Sequence, residues 1–160
     1  MSNLEIRPAS AEDSTLILRL IMDLAIYEKA GDAVIATVSD IEQTLFGEGS
    51  TTRALICELN GQAVGFAVYF FNYSTWLGKR GLYLEDLFVS PEHRGLGAGK
   101  ALLVQLAKIA VSNQCGRLEW SVLDWNEPAI KFYQSLGAEP QNEWVPYRLT
   151  GQALTELAES

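Results

Sequence analysis

The sequence predicts one α/β domain, residues 1–160, with a mixed sheet that carries helices on both faces in the order β-α-α-β-β-β-α-β-α-β. Three observations lead to this prediction. The pair Asn60-Gly61 separates two apolar-rich stretches and favours a tight type I′ hairpin turn. A glycine run, residues 95–99, stands between a strand-like and a helical stretch. Apolar residues recur at helical spacing in several other segments.

The N-terminal part of the chain predicts a strand followed by two helices. Residues Leu4 to Pro8 have strand character, and Ser10 is placed to cap a helix that should run to about Lys29. The segment Ser39 to Glu42 has the pattern of a capping box, which predicts a brief second helix ending near Gly47.

The middle of the chain predicts most of the sheet. Arg53 to Leu59 and Gln62 to Tyr73 should form the two antiparallel strands of the hairpin. Leu82 to Val89 is almost continuously apolar, which is typical of a central strand covered on both faces. The pattern in Ala101 to Ala110 predicts a helix on the sheet, and Arg117 to Leu123 predicts the next strand. We expect functional residues to gather at the C-terminal end of strand 82–89.

The C-terminal part predicts a helix, a last strand and a short helix. Asn126 can cap the first of these helices, Pro128 suits its first turn, and Gly137 lies beyond its end. The last strand is predicted near Trp144 to Leu149, and a terminal helix is predicted from about Gly151.

Composition restricts the function. The formal net charge of −8 disfavours nucleic acid as a partner and allows a cationic small molecule, although an acidic balance can also serve only solubility. No apolar run reaches the roughly 18 residues of a membrane span, and the N-terminus lacks a signal-peptide pattern. We therefore expect a cytoplasmic protein with no membrane partner. Cys57 and Cys115 suit reduced thiols, and the spacing of Cys and His predicts no metal site.

The glycine run has the form of an anion cradle at the start of a helix. It reads Arg94-Gly95-Leu96-Gly97-Ala98-Gly99-Lys100. A P-loop needs glycine at the position of Arg94 and Ser or Thr at the position of Ala101, and a dinucleotide fingerprint needs glycine at the position of Lys100. Both motifs are therefore excluded. The remaining pattern, Arg-Gly-x-Gly-x-Gly, resembles the pyrophosphate loop of the GCN5-related N-acetyltransferases (GNAT).

The resemblance extends over nearly the whole chain and favours one branch of that superfamily. The matching segments resemble the diamine acetyltransferases, which include the spermidine/spermine and thialysine enzymes. They are Ile6-Arg7-Pro8-Ala9, Leu24-Ala25-Ile26-Tyr27-Glu28, Gly65 to Phe70, Leu82 to Val89 and Trp125 to Tyr133. The resemblance implies the GNAT acyl-CoA N-acyltransferase fold, a homodimer, and transfer of acetyl from acetyl-CoA to a primary amine without a metal.

The resemblance also implies which residues hold the donor. The backbone of strand 87–89 should pair with the pantetheine arm, and the glycine run should surround the pyrophosphate. The implied cofactor-binding residues are Leu87, Phe88, Val89, Arg94, Gly95, Leu96, Gly97, Ala98, Gly99, Lys100, Asn126, Pro128, Ala129 and Phe132. Gly65 and Gly81 are interpreted as structural, and Asn126 can act as a helix cap as well.

The implied catalytic residues are Tyr133 and Glu85. A phenol has an ordinary pKa near 10, so Tyr133 can protonate a leaving thiolate at neutral pH. Glu85 and Asp86 are adjacent acids in an apolar strand, so they should point to opposite faces and at least one should be partly buried. By resemblance Glu85 assists deprotonation of the amine and Asp86 adds negative charge to the acceptor pocket; either acid could instead be a structural ion-pair partner.

Further acceptor contacts are implied at Tyr27 and Glu28, while Trp76, Glu119 and Trp120 could line the same pocket or belong to the core. His93 is the only histidine and is interpreted as an exposed turn residue, so a Ser-His-Asp arrangement has no obvious partners. Direct transfer in a ternary complex is therefore favoured.

The acceptor is left open by two departures from the family pattern. Ser74-Thr75 stand where the polyamine enzymes tend to have an acid, and Asn142 to Arg148 match the family's closing stretch only loosely. A short diamine, a lysine-like amino acid or thialysine therefore competes with long polyamines. Two further alternatives are a protein or peptide N-acetyltransferase and a non-catalytic acetyl-CoA-binding regulatory module.

Overall fold

The computed structural model describes residues 3–160. Its strands and helices follow the predicted order up to the last strand. They are β1 (Leu4–Pro8), α1 (Ser14–Tyr27), α2 (Val38–Phe46), β2 (Thr52–Leu59), β3 (Gln62–Ser74), β4 (Lys79–Val89), α3 (Ala98–Ser112), β5 (Leu118–Trp120), α4 (Glu127–Ser135) and α5 (Gly151–Ala158).

The five strands form one mixed sheet in the order β1-β2-β3-β4-β5. Strands β1 to β4 pair antiparallel in sequence order, and β5 pairs parallel with β4. The predicted hairpin is confirmed, because Asn60 and Gly61 adopt φ values of 51° and 82°, which a type I′ turn requires. The mixed α/β fold class predicted from the sequence is therefore confirmed.

Helices cover both faces of the sheet, as its alternating side chains require. One face packs against α1 and α2, in a core that contains Ile17, Leu20, Ile56 and Phe66. The neighbours of these strand residues, such as Leu55, are also buried and point to the opposite face. Helix α3 lies on that face and buries Leu102, Leu103 and Leu106.

The chain forms two compact units, the first ending at Leu123 and the second spanning Asp124–Ser160. The first unit contains the whole sheet with α1, α2 and α3. The second contains α4, which follows Asn126 and ends before Gly137, and α5. The assignment of residues 1–160 to a single GNAT domain stays a prediction. No helix within residues 3–160 has both the length and the apolar character required to cross a bilayer.

Three element predictions need correction. The strand predicted at Trp144 to Leu149 does not form, and Pro146 in its centre explains why, because proline cannot donate to a strand ladder. Strand β5 is only three residues long instead of reaching Leu123. Helix α2 begins earlier than predicted, because Thr37 and Asp40 form its capping box.

Arg7, on strand β1, forms ion pairs with residues of two other segments. Its guanidinium makes a bidentate pair with the carboxylate of Asp13, at 2.8 Å for each bond, and its Nε donates to Glu58 on β2, also at 2.8 Å. Asp13 is almost buried, and the hydrogen bonds from Arg7 hold the pKa of its carboxyl below the usual value. This stabilisation is therefore present at neutral pH and is lost on acidification.

Replacing Arg7 with methionine should lower the free energy of unfolding by about 1–3 kcal/mol, because it leaves the nearly buried carboxylate of Asp13 without its main partner. Urea unfolding at neutral pH measures the change. Arg117→Met is the matched control, since the Arg117–Glu119 pair is a single contact of 3.3 Å between two partly exposed side chains and should contribute less than about 0.5 kcal/mol. Equal losses in the two variants would contradict a special role for Arg7.

Candidate active site

Strand β4 contains a β-bulge at Glu85. Asp86 lies opposite Val68 on β3, and Leu84 lies opposite Tyr69, so Glu85 is the extra residue. Val68 belongs to the core under α1 and α2, so Asp86 faces that side of the sheet. Without the bulge, Leu84 and Asp86 would share a face. The bulge therefore turns Asp86 toward α1 and leaves Glu85 exposed beside it.

The pairing of β4 with β5 ends at the same place. Three consecutive residues of β4, Leu82 to Leu84, have partners on β5, and the last pair is Leu84 with Trp120. Beyond the bulge, residues 86–89 pair with β3 on one side and with no strand of the described chain on the other. This segment presents an open backbone edge inside the sheet, which an extended group can join as an additional strand.

Three carboxylates interact electrostatically at the bulge. Burial is the largest cause that raises the pKa of Asp86 to about 6, and the negative charges of Glu85 and Glu28 contribute. Glu28 caps the C-terminus of α1, where an acid opposes the helix dipole, and burial raises the pKa of this carboxyl as well. The structure thus brings Glu28, Glu85 and Asp86 together. Such a cluster favours a cationic neighbour, because a cation offsets both burial and like-charge repulsion.

The glycine run has the geometry of an anion cradle. Gly95 and Gly97 adopt φ values of 80° and 87°, and a Cβ atom at either would meet no atom within 4 Å, so both positions are open. Helix α3 begins at Ala98, directly after Gly97, and its first turn has no acidic residue. Its unpaired N–H groups and positive dipole end suit a pyrophosphate. The run and the edge of residues 87–89 therefore fit the donor that the sequence implied.

The Arg94 side chain contacts strand β4 and the end of helix α1. Its Nε donates a hydrogen bond to the carbonyl of Val89 at 3.0 Å, and its guanidinium carbon lies 4.5 Å from the ring centre of Tyr27 and 5.6 Å from that of Phe88. Both distances are within cation–π range. The Arg94 side chain thus connects the donor loop to the end of α1, where Tyr27 and Glu28 lie; the sequence pattern of the loop gave no signal for this contact.

The other acceptor residues implied by resemblance lie on the β3–β4 turn and on strand β5. Trp76 is 85% exposed at the turn before β4, and the strand between it and Glu85 spans about 20 Å at ~3.3 Å per residue. Glu119 on β5 forms a partly exposed ion pair with Arg117. Trp120 is half-buried opposite Leu84, at the last β4–β5 pair. The assignment of these residues to the acceptor pocket stays a prediction.

The remaining site residues implied by resemblance belong to the second unit. Tyr133 and Phe132 lie on α4, with their ring centres 5.9 Å apart. Asn126 takes the N-cap position, and Pro128 and Ala129 lie in the first turns of the helix. Asn126, at the N-cap, and Tyr133, within the helix, are thus joined by one continuous helix, α4.

Two smaller predictions concern His93 and the structural glycines. His93 is half-buried rather than exposed, and its Nδ1 has no hydrogen-bond partner among residues 3–160. The burial arises because the turn Pro91–His93 folds back on the chain after β4. Gly65 is structural, since a Cβ atom there would lie 2.7 Å from the carbonyl oxygen of Phe88.

Replacing Gly95 with alanine should raise the KM for acetyl-CoA about tenfold with a smaller change in kcat, because the positive φ is strained for alanine and the loop loses its shape. Gly49→Ala is the matched control: its φ is 79° and it also has no neighbour within 4 Å, but it lies outside the donor loop. Steady-state kinetics with varied acetyl-CoA measure both variants. The same rise in KM in the control would contradict the assignment of the loop.

Comparison with known proteins agrees with the site geometry. Residues 24–138 match the model of the acetyltransferase (GNAT) family. The chain is 38% identical to a thialysine N-epsilon-acetyltransferase of Bos taurus, over 99% of each chain. It is also 38% identical to a spermidine/spermine N(1)-acetyltransferase-like protein 1 of Homo sapiens, over 99% of this chain and 24% of that protein.

A solved structure gives the same result for the fold. An integron cassette protein from the mobile metagenome of V. cholerae superposes with a TM-score of 0.82 at 32% identity and covers 98% of each chain. The family match covers most of the chain, including the glycine run, the bulge and helix α4. The chain therefore belongs to the GNAT family of acetyltransferases, among the relatives of the thialysine and spermidine/spermine enzymes.

Proposed function

We propose that this protein transfers acetyl from acetyl-CoA to the side-chain primary amine of a small cationic amino acid of the thialysine or lysine type. The observation that carries the proposal is the coincidence, at one bulge, of an open backbone edge on β4 and the carboxylates of Glu28, Glu85 and Asp86. The edge suits an extended donor arm, and the acids suit a protonated amine. Acetyl transfer requires these two partners next to each other.

In this proposal the acidic residues attract the protonated amine and remove its proton. A primary amine is protonated at neutral pH and must lose its proton before it can attack a carbonyl carbon. Asp86 and Glu28 supply the negative charge that attracts the ammonium group. Glu85, exposed at the bulge, accepts the proton from the amine nitrogen directly or through water. The bulge supports this division of roles, because it turns Asp86 toward α1 while the neighbouring Glu85 stays exposed.

In this proposal the donor-site residues bind and orient acetyl-CoA. Acetyl-CoA supplies a thioester, whose acetyl group passes to the amine when the carbon–nitrogen bond forms and the carbon–sulfur bond breaks. The backbone of residues 87–89 holds the extended arm, and the N–H groups around Gly97 and Ala98 hold the pyrophosphate. Tyr133 donates its phenolic proton to the departing sulfur, as its match to the family position implies. Asn126, Pro128, Ala129 and Phe132 assist in donor binding.

The size of the acceptor is the second part of the proposal. The thialysine enzyme aligns with this chain over 99% of each protein. Ser74-Thr75 are neutral where the polyamine enzymes tend to have an acid, so one contact expected for the distant amine of a long polyamine is missing from the sequence. A single acidic cluster suits one ammonium group, so a lysine-like acceptor is favoured over spermine.

The acceptor class can be tested by measuring CoA thiol release with thialysine, lysine, putrescine, spermidine, spermine and a basic peptide. We expect the highest kcat/KM for thialysine or lysine, at least about tenfold above spermine. A preference for the peptide would favour a protein N-acetyltransferase instead. Tight acetyl-CoA binding without thiol release for every amine would favour a non-catalytic regulatory module.

We also propose direct transfer in a ternary complex, a homodimer and a cytoplasmic location. Direct transfer fits the half-buried His93, which has no nucleophile among its hydrogen-bond partners in residues 3–160. An acetylated enzyme formed without any amine would contradict it. Sedimentation of the purified protein tests the dimer, and a monomer at micromolar concentration would contradict that part of the proposal.

A further inference from the structure

A cavity of ≈ 580 Å³ lies in the first unit, and its lining includes no residue of strand β4 or of the glycine run. It opens where β1 ends and β2 begins, beneath the connection after α2, and one of its walls is helix α3. Its apolar lining includes Ile6, Pro8, Leu45, Phe46 and Ile109. None of its lining residues belongs to the proposed donor or acceptor groups. The volume is within the range of pockets that bind small molecules.

Tyr69 supplies a hydrogen-bond donor to this cavity. The residue is only 7% exposed, and it lines the cavity from strand β3. Its ring packs edge-on against Phe71, but its hydroxyl makes no hydrogen bond with any of residues 3–160. Burial raises the pKa of Tyr69 above its ordinary value, so the hydroxyl keeps its proton at neutral pH. The hydroxyl oxygen is not fully buried, because among the described residues only His93 has a buried side-chain polar atom without a hydrogen-bond partner. The Tyr69 hydroxyl is therefore accessible in the cavity and can donate to an acceptor supplied from outside the chain.

Arg53 supplies a positive charge at the same place. It lies directly opposite Tyr69 in the β2–β3 ladder and also lines the cavity. One of its guanidinium nitrogens donates to the carbonyls of Ser50 and Thr52, at 3.0 and 3.5 Å, which fixes the group beside the cavity mouth. Within residues 3–160, no acidic residue lines the cavity and Arg53 makes no ion pair. In a chain with a net charge of −8, this arginine is available to an external anion.

We propose that this cavity is a binding site for a small amphipathic carboxylate, distinct from the acetyl-transfer site. The carboxylate accepts hydrogen bonds from the Tyr69 hydroxyl and the Arg53 guanidinium, a charge-assisted arrangement that arginine geometry favours. The hydrocarbon part of the ligand covers the apolar lining around Leu45 and Ile109. A carboxylate is favoured over a phosphate because one guanidinium and one hydroxyl match its two oxygens, while the remaining lining is largely apolar.

The test is a titration of the whole 160-residue chain with sodium hexanoate, followed by amide chemical shifts and calorimetry. We expect a dissociation constant of about 1 mM or lower, with shifts in residues 47–55 and 105–109. Hexanamide and hexylamine have the same chain without the negative charge, and they should bind at least about tenfold more weakly. Equal binding of hexanoate and hexanamide, or shifts confined to residues 85–100, would overturn the proposal.

Two variants test the polar residues separately. Tyr69→Phe removes only the hydroxyl oxygen, and Arg53→Met removes an exposed charge, so both should fold; each should weaken hexanoate about tenfold. Acetyl-CoA affinity should be unchanged in both variants, which separates loss of this site from loss of the donor site. Hexanoate binding to both variants with the affinity of the unmodified protein would overturn the proposal.

Discussion

Replacing Tyr133 with phenylalanine is expected to lower kcat by about 10²–10⁴-fold, while the affinity for acetyl-CoA changes by less than about threefold. The substitution keeps the ring and its packing beside Phe132, whose ring centre lies 5.9 Å away. It removes the proton that the proposed mechanism delivers to the departing sulfur. A thiolate then leaves without protonation, which raises the barrier of the chemical step and not the free energy of donor binding.

Steady-state thiol release with saturating amine gives kcat, and calorimetric titration with CoA gives the affinity. Tyr147→Phe is the matched control, because this tyrosine is 97% exposed in the same unit and lies outside the proposed site. It should retain the activity of the unmodified protein. An unchanged kcat in Tyr133→Phe would remove Tyr133 from the mechanism.

Replacing Asp86 with asparagine is expected to stabilise the fold and to weaken acceptance of the amine. Burial raises the pKa of Asp86 in the folded protein to about 6, from an ordinary value of 3.8, so the folded protein binds this proton more tightly than the unfolded chain. Stability therefore falls as pH rises from about 4 to 6, and the penalty persists above that range. The neutral amide avoids it, so the free energy of unfolding at about pH 8 should rise by about 1–3 kcal/mol.

The same change should lower kcat/KM for the amine by at least about tenfold, because it removes the half-buried negative charge of the acidic cluster. In the unmodified protein, kcat/KM should fall as pH drops through about 6 and Asp86 becomes protonated. This fall in kcat/KM at acidic pH should be absent in the Asp86→Asn variant. Asp32→Asn, at an exposed position, is the control for charge alone. A lower free energy of unfolding in Asp86→Asn, or a fall in kcat/KM at acidic pH equal to that of the unmodified protein, would contradict the assigned role.

Local signals predicted much of the fold. Asn60-Gly61 specified the hairpin, because few other pairs adopt two positive φ values, and the glycine run specified the loop before α3. The segment Trp144 to Leu149 was wrongly predicted as a strand. Its aromatic and apolar residues satisfy strand propensity, but Pro146 in the centre of the segment removes a ladder donor.

The candidate site was predicted less completely, since its geometry depends on long-range pairing. The bulge at Glu85 depends on the register of β4 against β3, and no glycine or other local signal indicates it. A regular strand would have been expected from the same residues. The contact of Arg94 with Tyr27 joins residues far apart in sequence. Tyr69 and Arg53 likewise become notable only when the ladder places them opposite each other.

The most direct measurement is mass spectrometry of the products formed from thialysine and acetyl-CoA at about pH 8. We expect thialysine with one acetyl group on its side-chain amine, formed in equal amount with free CoA, and at least about tenfold less product with the Asp86→Asn variant. Free CoA without any acetylated amine, or bound acetyl-CoA with no product from any amine of the panel, would contradict acetyl transfer to a small amine.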